Sequence, residues 1–208
     1  MKQRIWKTGA AALLFLVGIR IVWINSNVKA PVVKTYSEQE EVSIRNNIFT
    51  DDSENMDGYM VKVIDTEILS YDAYLEKYHY KEDPGQPLVE PDDTMLPEMI
   101  YEISIDVRNR NETDDADSGI DFFNYKLIDT DFSLSVDRPL YAIANPDIED
   151  GSLCVHLNPG TNQIFHLPFS FSPSSEDISI TEQDIKNADM YLVVSRYPEQ
   201  QRIYVTAF

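Results

Sequence analysis

Four aspartates crowd around one glycine in this chain. Asp114, Asp115, Asp117 and Asp121 surround Gly119, and carboxylate oxygens at alternating positions beside a glycine are the makings of a calcium loop. The EF-hand spacing is not met, because no third alternating acid precedes the glycine and no Glu closes the loop. A solvated turn between strands is the competing reading. A second group is Cys154, His156 and His166. Cys154 and His156 share the strand face opposite Leu153, Val155 and Leu157, and His166 would complete a three-ligand metal site if the fold brought it alongside. The same pair would make a cysteine–histidine nucleophile, but nothing around it activates the thiol. His79 lies in a tyrosine-rich turn and reads as exposed. The chain has no Gly-x-Ser-x-Gly elbow and no glycine-rich phosphate loop. With 36 acids present, a pair of carboxylates chosen for glycoside cleavage means nothing. Asn111-Glu112-Thr113 fits a glycosylation triplet and reads as an ordinary turn. No catalytic residues and no cofactor are therefore expected, with calcium the one candidate ligand.

These residues hang on a framework of short strands. From Tyr101 to Val107, apolar Tyr101, Ile103, Ile105 and Val107 alternate with Glu102, Ser104 and Asp106, which is the period of a half-buried antiparallel strand. Its apolar face requires a second sheet to cover it. Tyr59 to Leu69 is rich in β-branched residues and predicts another strand. Ser70 then caps a helical pattern carrying Ala73, Leu75 and Tyr78. Ile120 to Asp129 reads as a strand with one irregular step, and Thr130 to Val136 as a further candidate stopped by Pro139. The spacing predicts a hairpin over Ser152 to Phe171, turned by Asn158-Pro159-Gly160-Thr161, with Phe165, Leu167, Phe169 and Phe171 on one face. Pro168 marks that return strand as an edge or a bulge. Asp189 to Ser195 and Arg202 to Phe208 form the last pair, joined through Tyr197-Pro198-Glu199-Gln200. Seven to nine short strands separated by turns predict an all-β, two-layer antiparallel sandwich.

Charge and hydropathy divide the chain. Five of its seventeen cations (Lys2, Arg4, Lys7, Arg20 and Lys29) fall in the first thirty residues, which hold no acid. Twelve cations then stand against all 36 acids in Pro31 to Phe208, a formal charge of −24. Such a surface repels phosphate backbones and disfavours nucleic acid as a partner; it could attract a basic partner or divalent cations, and plain solubility is the competing reading. The basic start leads into an uncharged run from Thr8 to Ile19, and Ile21 to Ile24 resumes it after Arg20. That is an export signal, or an uncleaved membrane anchor with Arg20 and Trp23 at an interface. The anchor is preferred, and Val28-Lys29-Ala30 would be the cleavage site of the alternative. Either way, residues 31–208 are expected outside the cell, tethered to the membrane or secreted. The single cysteine rules out an internal disulfide. The expected organisation is an anchor or signal peptide over 1–30, an acidic tether with a short strand over 31–58, and a sandwich over 59–208.

Val107-Arg108-Asn109-Arg110-Asn111 at a strand end, Leu157-Asn158-Pro159-Gly160, and Phe165-His166-Leu167-Pro168-Phe169, behind a basic-apolar N-terminus, make a familiar combination. It resembles the telokin-like, immunoglobulin-like exported proteins of Gram-positive bacteria. The resemblance implies an immunoglobulin-like sandwich at the cell surface and carries no catalytic residues with it. The cysteine–tryptophan–cysteine core of antibody domains is missing, since both tryptophans, Trp6 and Trp23, are N-terminal. The function these readings predict is a non-catalytic binding module for a protein or cell-envelope component. An accessory or regulatory subunit of a membrane complex is the alternative, and a cell-wall hydrolase ranks below both.

Overall fold

Two sheets pack face to face around a core built mostly from alternating strand residues. The computed structural model describes residues 13, 15–24, 26, 31–50, 54–83, 85, 87–88, 97–130, 132–171 and 182–206. The cleavage residues Val28 to Ala30, the cations Lys2, Arg4 and Lys7, and Trp6 lie outside them. Met1–Pro31 and Val32–Phe208 are two separate compact units. In the first, residues 15–24 are helical (α1). Among the described residues no helix is long and apolar enough to cross a membrane.

In the second unit, one sheet orders β2 (Val42–Ser43), β3 (Tyr59–Ser70), β4 (Met99–Asn109) and β9 (Asn162–Phe171), all antiparallel. The other orders β1 (Val32–Tyr36), β11 (Glu199–Val205), β10 (Met190–Ser195), β6 (Lys126–Ile128) and β7 (Ser133–Ser135). A separate ribbon joins β5 (Ile120–Asp121) to β8 (Cys154–Val155). The central strand is β4. Its Tyr101, Ile103, Ile105 and Val107 are buried opposite Phe169, Leu167, Phe165 and Gln163 of β9. The facing sheet contributes Leu127, Leu192, Val194, Ile203 and Val205 to the same core. The period of two thus placed the apolar faces of β4 and β9 correctly.

Three expectations are corrected. Residues 32–36 are not a tether. They form β1, which pairs parallel with β11 and is held there by Lys34 to Glu199 at 2.7 Å and by Arg202 Nε donating to Thr35 Oγ1 at 3.0 Å. The sheets are therefore not wholly antiparallel. The expected hairpin over 152–171 does not form either, because β8 pairs with β5 and β9 with β4. Its turn chemistry is nonetheless right. Gly160 adopts φ 73°, as the third residue of a type II turn must, and Thr161 N donates to Asn158 O at 3.1 Å. The turn is recruited by β4 instead, since Gly160 N donates to Asn109 O and Asn109 N to Thr161 O.

Helices cover part of the outer face of the four-stranded sheet. Ser70 Oγ caps α2 (Tyr71–Lys77) at Ala73 N, as its sequence predicts. Asp137 caps α3 (Arg138–Ala144), whose first turn contains Pro139. Tyr74, Leu75, Leu140, Ala144 and Ile100 form a second, smaller core. The helix α4 (Glu182–Asn187) adds Ile185 to the main core. The free edge of β9 is occupied by α3. Asn145 Oδ1 accepts from His166 N at 2.9 Å and its Nδ2 donates to His166 O at 2.8 Å, while Asp137 N donates to Pro168 O. One side-chain amide thus supplies the pair of bonds a neighbouring strand would make. Asn145→Ala should cost about 2 kcal/mol in chemical denaturation, because both buried backbone groups of His166 lose a partner.

Candidate functional site

The ribbon of β5 and β8 exists because Gly119 lets two chains touch. A Cβ on Gly119 would lie 3.0 Å from Val155 O. Beyond the glycine, Ile120 and Val155 point into the core, and Asp121 and Cys154 pair on the outside. Asp121 Oδ1 then accepts from Phe123 N at 2.9 Å and starts a one-turn 3₁₀ helix, Phe122–Asn124. That turn is the irregular step expected in the 120–129 strand. It buries Phe122 and Tyr125 completely and leaves Phe123 67% exposed.

An open groove of about 910 Å³ runs beside this ribbon. Phe123, Leu153 and Ile148 supply its apolar surface, and Asp121, Asp147, Glu149 and Asp150 line it with carboxylates. Arg138 is the single arginine or lysine in that lining. The acidic rim is produced by a tight reversal after α3, where Asp150 and Gly151 adopt φ of 53° and 58° in succession. Across the ribbon lies a smaller hollow of about 320 Å³, lined by Glu54, Met56 and Asp117 among others. Cys154 and His156 border both.

His156 sits between two acceptors on this surface. Its Nδ1 lies 2.7 Å from Ser118 O and its Nε2 2.9 Å from Asp114 Oδ1. Both ring nitrogens face acceptors, which only the imidazolium satisfies. The Ser118 carbonyl first, and then the Asp114 carboxylate, raise its pKa above the ordinary histidine value. Cys154 is exposed. Partial desolvation, together with the Asp121 carboxylate beside it, still pushes the thiol pKa up, so it stays protonated at neutral pH and is a poor nucleophile. The ring of His156 is turned to Ser118 and Asp114, not to the thiol.

The four aspartates do not converge. Asp114 holds His156. Asp115 closes its own turn through Asp117 N and reaches Asn55 Nδ2. Asp121 caps the 3₁₀ turn and accepts from Asn124 Nδ2. Among the described residues no three acidic, histidine or cysteine side chains come together as metal ligands. His166 joins neither Cys154 nor His156. It sits on the outer face of β9, with Nδ1 2.9 Å from Ser104 Oγ and 3.3 Å from Glu102 Oε1. His79 takes a left-handed conformation, φ 53°, just past α2 and is exposed.

The groove escaped the sequence reading because its walls come from residues 121–123, 138 and 147–156, separately unremarkable. The one local signal was the doublet Phe122-Phe123, where two large apolar neighbours cannot both face the core of an extended strand. Comparison with curated proteins and with solved structures gave no match. A family model does match, over residues 33–201, from within β1 to within β11, and so spans both sheets, the ribbon and the groove. The chain belongs to the family of the domain of unknown function DUF5028.

Proposed function

We propose that the domain is a non-catalytic binding module that takes a cationic partner, a protein or a cell-envelope component, in the groove beside β5 and β8. The observation that carries this reading is the convergence of Asp121, Asp147, Glu149 and Asp150 around the exposed ring of Phe123. Aromatic anchors and basic side chains are what interfaces concentrate, and Phe123 offers a stacking surface for an arginine or an apolar neighbour. The −24 charge of Pro31 to Phe208 steers such a partner in and keeps polyanions away. In the finer reading, the packed sheets are an immunoglobulin-like sandwich of the telokin-like kind, displayed outside the cell with residues 1–30 as a membrane anchor or signal. The apolar side chains of α1, among them Phe15, Val22 and Trp23, are at least 60% exposed and call for a lipid or protein cover. That same observation favours the second reading, an accessory subunit of a membrane complex.

The test is titration of the full-length protein, held in mild detergent, with a tetra-arginine peptide at low and physiological salt. Binding that weakens with salt is expected. The triple change D147N, E149Q and D150N should weaken it about tenfold, as removal of several facing charges does, and F123A should weaken it severalfold. Equal affinity of all variants would rule the groove out. Exchanging residues 1–30 for an unrelated anchor separates the two readings, since only the membrane-complex subunit depends on α1 itself.

A further inference from the structure

On a domain so dominated by acids, one small pocket has a basic lining. It opens on the outer side of the five-stranded sheet and holds about 210 Å³. Phe49, Ile128 and Val193 give it apolar walls, and the polar lining includes Lys126, Arg196 and Gln200. Among the described residues that line it there is no carboxylate. Strand geometry explains the grouping. Lys126 lies opposite Val193 on neighbouring strands, so both point outward from the same stretch of sheet. Arg196 leaves β10 where its backbone N donates to Ile48 O, which brings it beside Phe49 and Thr50. Glu54, which hydrogen-bonds two of the lining residues, is already engaged. Its Oε2 accepts from Phe49 N at 2.7 Å and its Oε1 from Thr50 N at 2.8 Å and Thr50 Oγ1 at 2.5 Å. Among the described residues Lys126 Nζ has only a neutral partner, Ser135 Oγ at 2.5 Å, and the Arg196 guanidinium has no ion pair.

We infer that this pocket binds a compact oxyanion, a phosphate or carboxylate group on a small ligand, between Lys126 and Arg196 with Gln200 as a neutral donor. A guanidinium offers paired N–H donors matched to two oxygens of such a group, and an ammonium adds a point charge. The pocket falls below the volume of roughly 300 Å³ at which drug-sized ligands are housed, which limits the occupant to one small molecule or one anionic head group. The surrounding negative field acts against anions of high charge, so discrimination by size and charge is built in. This site is independent of the acidic groove.

Calorimetric titration of the full-length protein with inorganic phosphate and with succinate, at constant ionic strength, tests the inference. Saturable binding of either probe in the millimolar range or tighter is expected, and the preferred probe identifies the oxyanion. R196Q and K126Q should each weaken it at least tenfold, and Q200E, nearly isosteric but carrying a carboxylate into the pocket, should abolish it. K62Q, which changes a cation on the other sheet, should leave it unaltered. No saturable heat with either probe up to 10-fold above the expected range, or equal losses in K62Q and R196Q, would overturn the assignment.

Discussion

Replacing Glu102 by alanine should destabilise the domain by about 2–3 kcal/mol, near the lower end of what removing one partner from a buried ion pair costs. Glu102 belongs to the polar face of β4, yet α2 closes over it and leaves it 1% exposed. Its Oε1 receives Lys77 Nζ at 2.7 Å and the Tyr78 hydroxyl at 2.8 Å, with His166 Nδ1 at 3.3 Å. Lys77 also reaches Glu67. Since a third of the Lys77 side chain meets solvent, its ammonium can rehydrate, and the full cost of an orphaned buried charge is not reached. Among the described residues Glu102 Oε2 has no hydrogen-bond partner although it is buried, so part of the carboxylate's desolvation is uncompensated in the native protein too. Glu102→Gln, which keeps the shape, should lie between wild type and alanine. The pH dependence has a definite sign. Burial pushes the Glu102 pKa up, but hydrogen bonds from His166, Lys77 and Tyr78 outweigh it and hold the carboxyl below the ordinary range. A depressed native pKa gives stabilisation that is complete above the unfolded value of about 4.3 and disappears as pH falls through the native one. Urea melts of wild type and Glu102→Ala should therefore differ most near pH 7 and converge in acid. A gap that stays constant down to pH 3 would contradict the ionic account.

Phe122→Ala should cost more, about 3–5 kcal/mol, in the range for truncating a fully buried aromatic. Phe122 is 0% exposed. Its ring lies 5.0 Å from that of Phe165, 5.3 Å from Tyr125 and 6.1 Å from Tyr141, centroid to centroid. It thereby joins the 3₁₀ turn, β9 and α3 at one point of the core. Among the described residues the buried hydroxyls of Tyr125 and Tyr141 have no hydrogen-bond partner. The neighbouring Phe123→Ala, at an exposed ring, should leave the denaturation midpoint within about 0.5 kcal/mol of wild type. Similar losses for the two phenylalanines would mean that the turn is not oriented as described.

Contrast between faces decided how much of this fold was legible. In β4 every second residue is large and apolar while the others are polar, so the strand and its buried face followed from the period alone. Residues 165–171 declared themselves in the same way, and Pro168 marked β9 as the edge strand it is. Ser70 announced α2 because a hydroxyl before a helical pattern is a local signal. Partner choice was not local. Leu153, Val155 and Leu157 alternate as a hairpin arm would, yet their strand pairs with Ile120-Asp121, a two-residue element too short to stand out. β1 was hidden because an edge strand with Val32 and Val33 half or more exposed has no buried face to betray. The burial of Glu102 was equally unreadable, since nothing in an alternating strand says that a helix will lie across its polar side. The groove depended on a reversal at Asp150 and Gly151, separated in sequence from Phe123 by more than two turns and a helix.

The docking of α3 along β9 also bears on self-association. Asn145 and Asp137 occupy the hydrogen-bonding positions through which β9 would otherwise recruit a foreign chain. Behind that guard lies a run of Phe165, Leu167, Phe169 and Phe171, interrupted by Pro168, which has no N–H to offer a foreign strand. The seven residues of α3, together with Pro168, therefore close this edge to pairing with another chain.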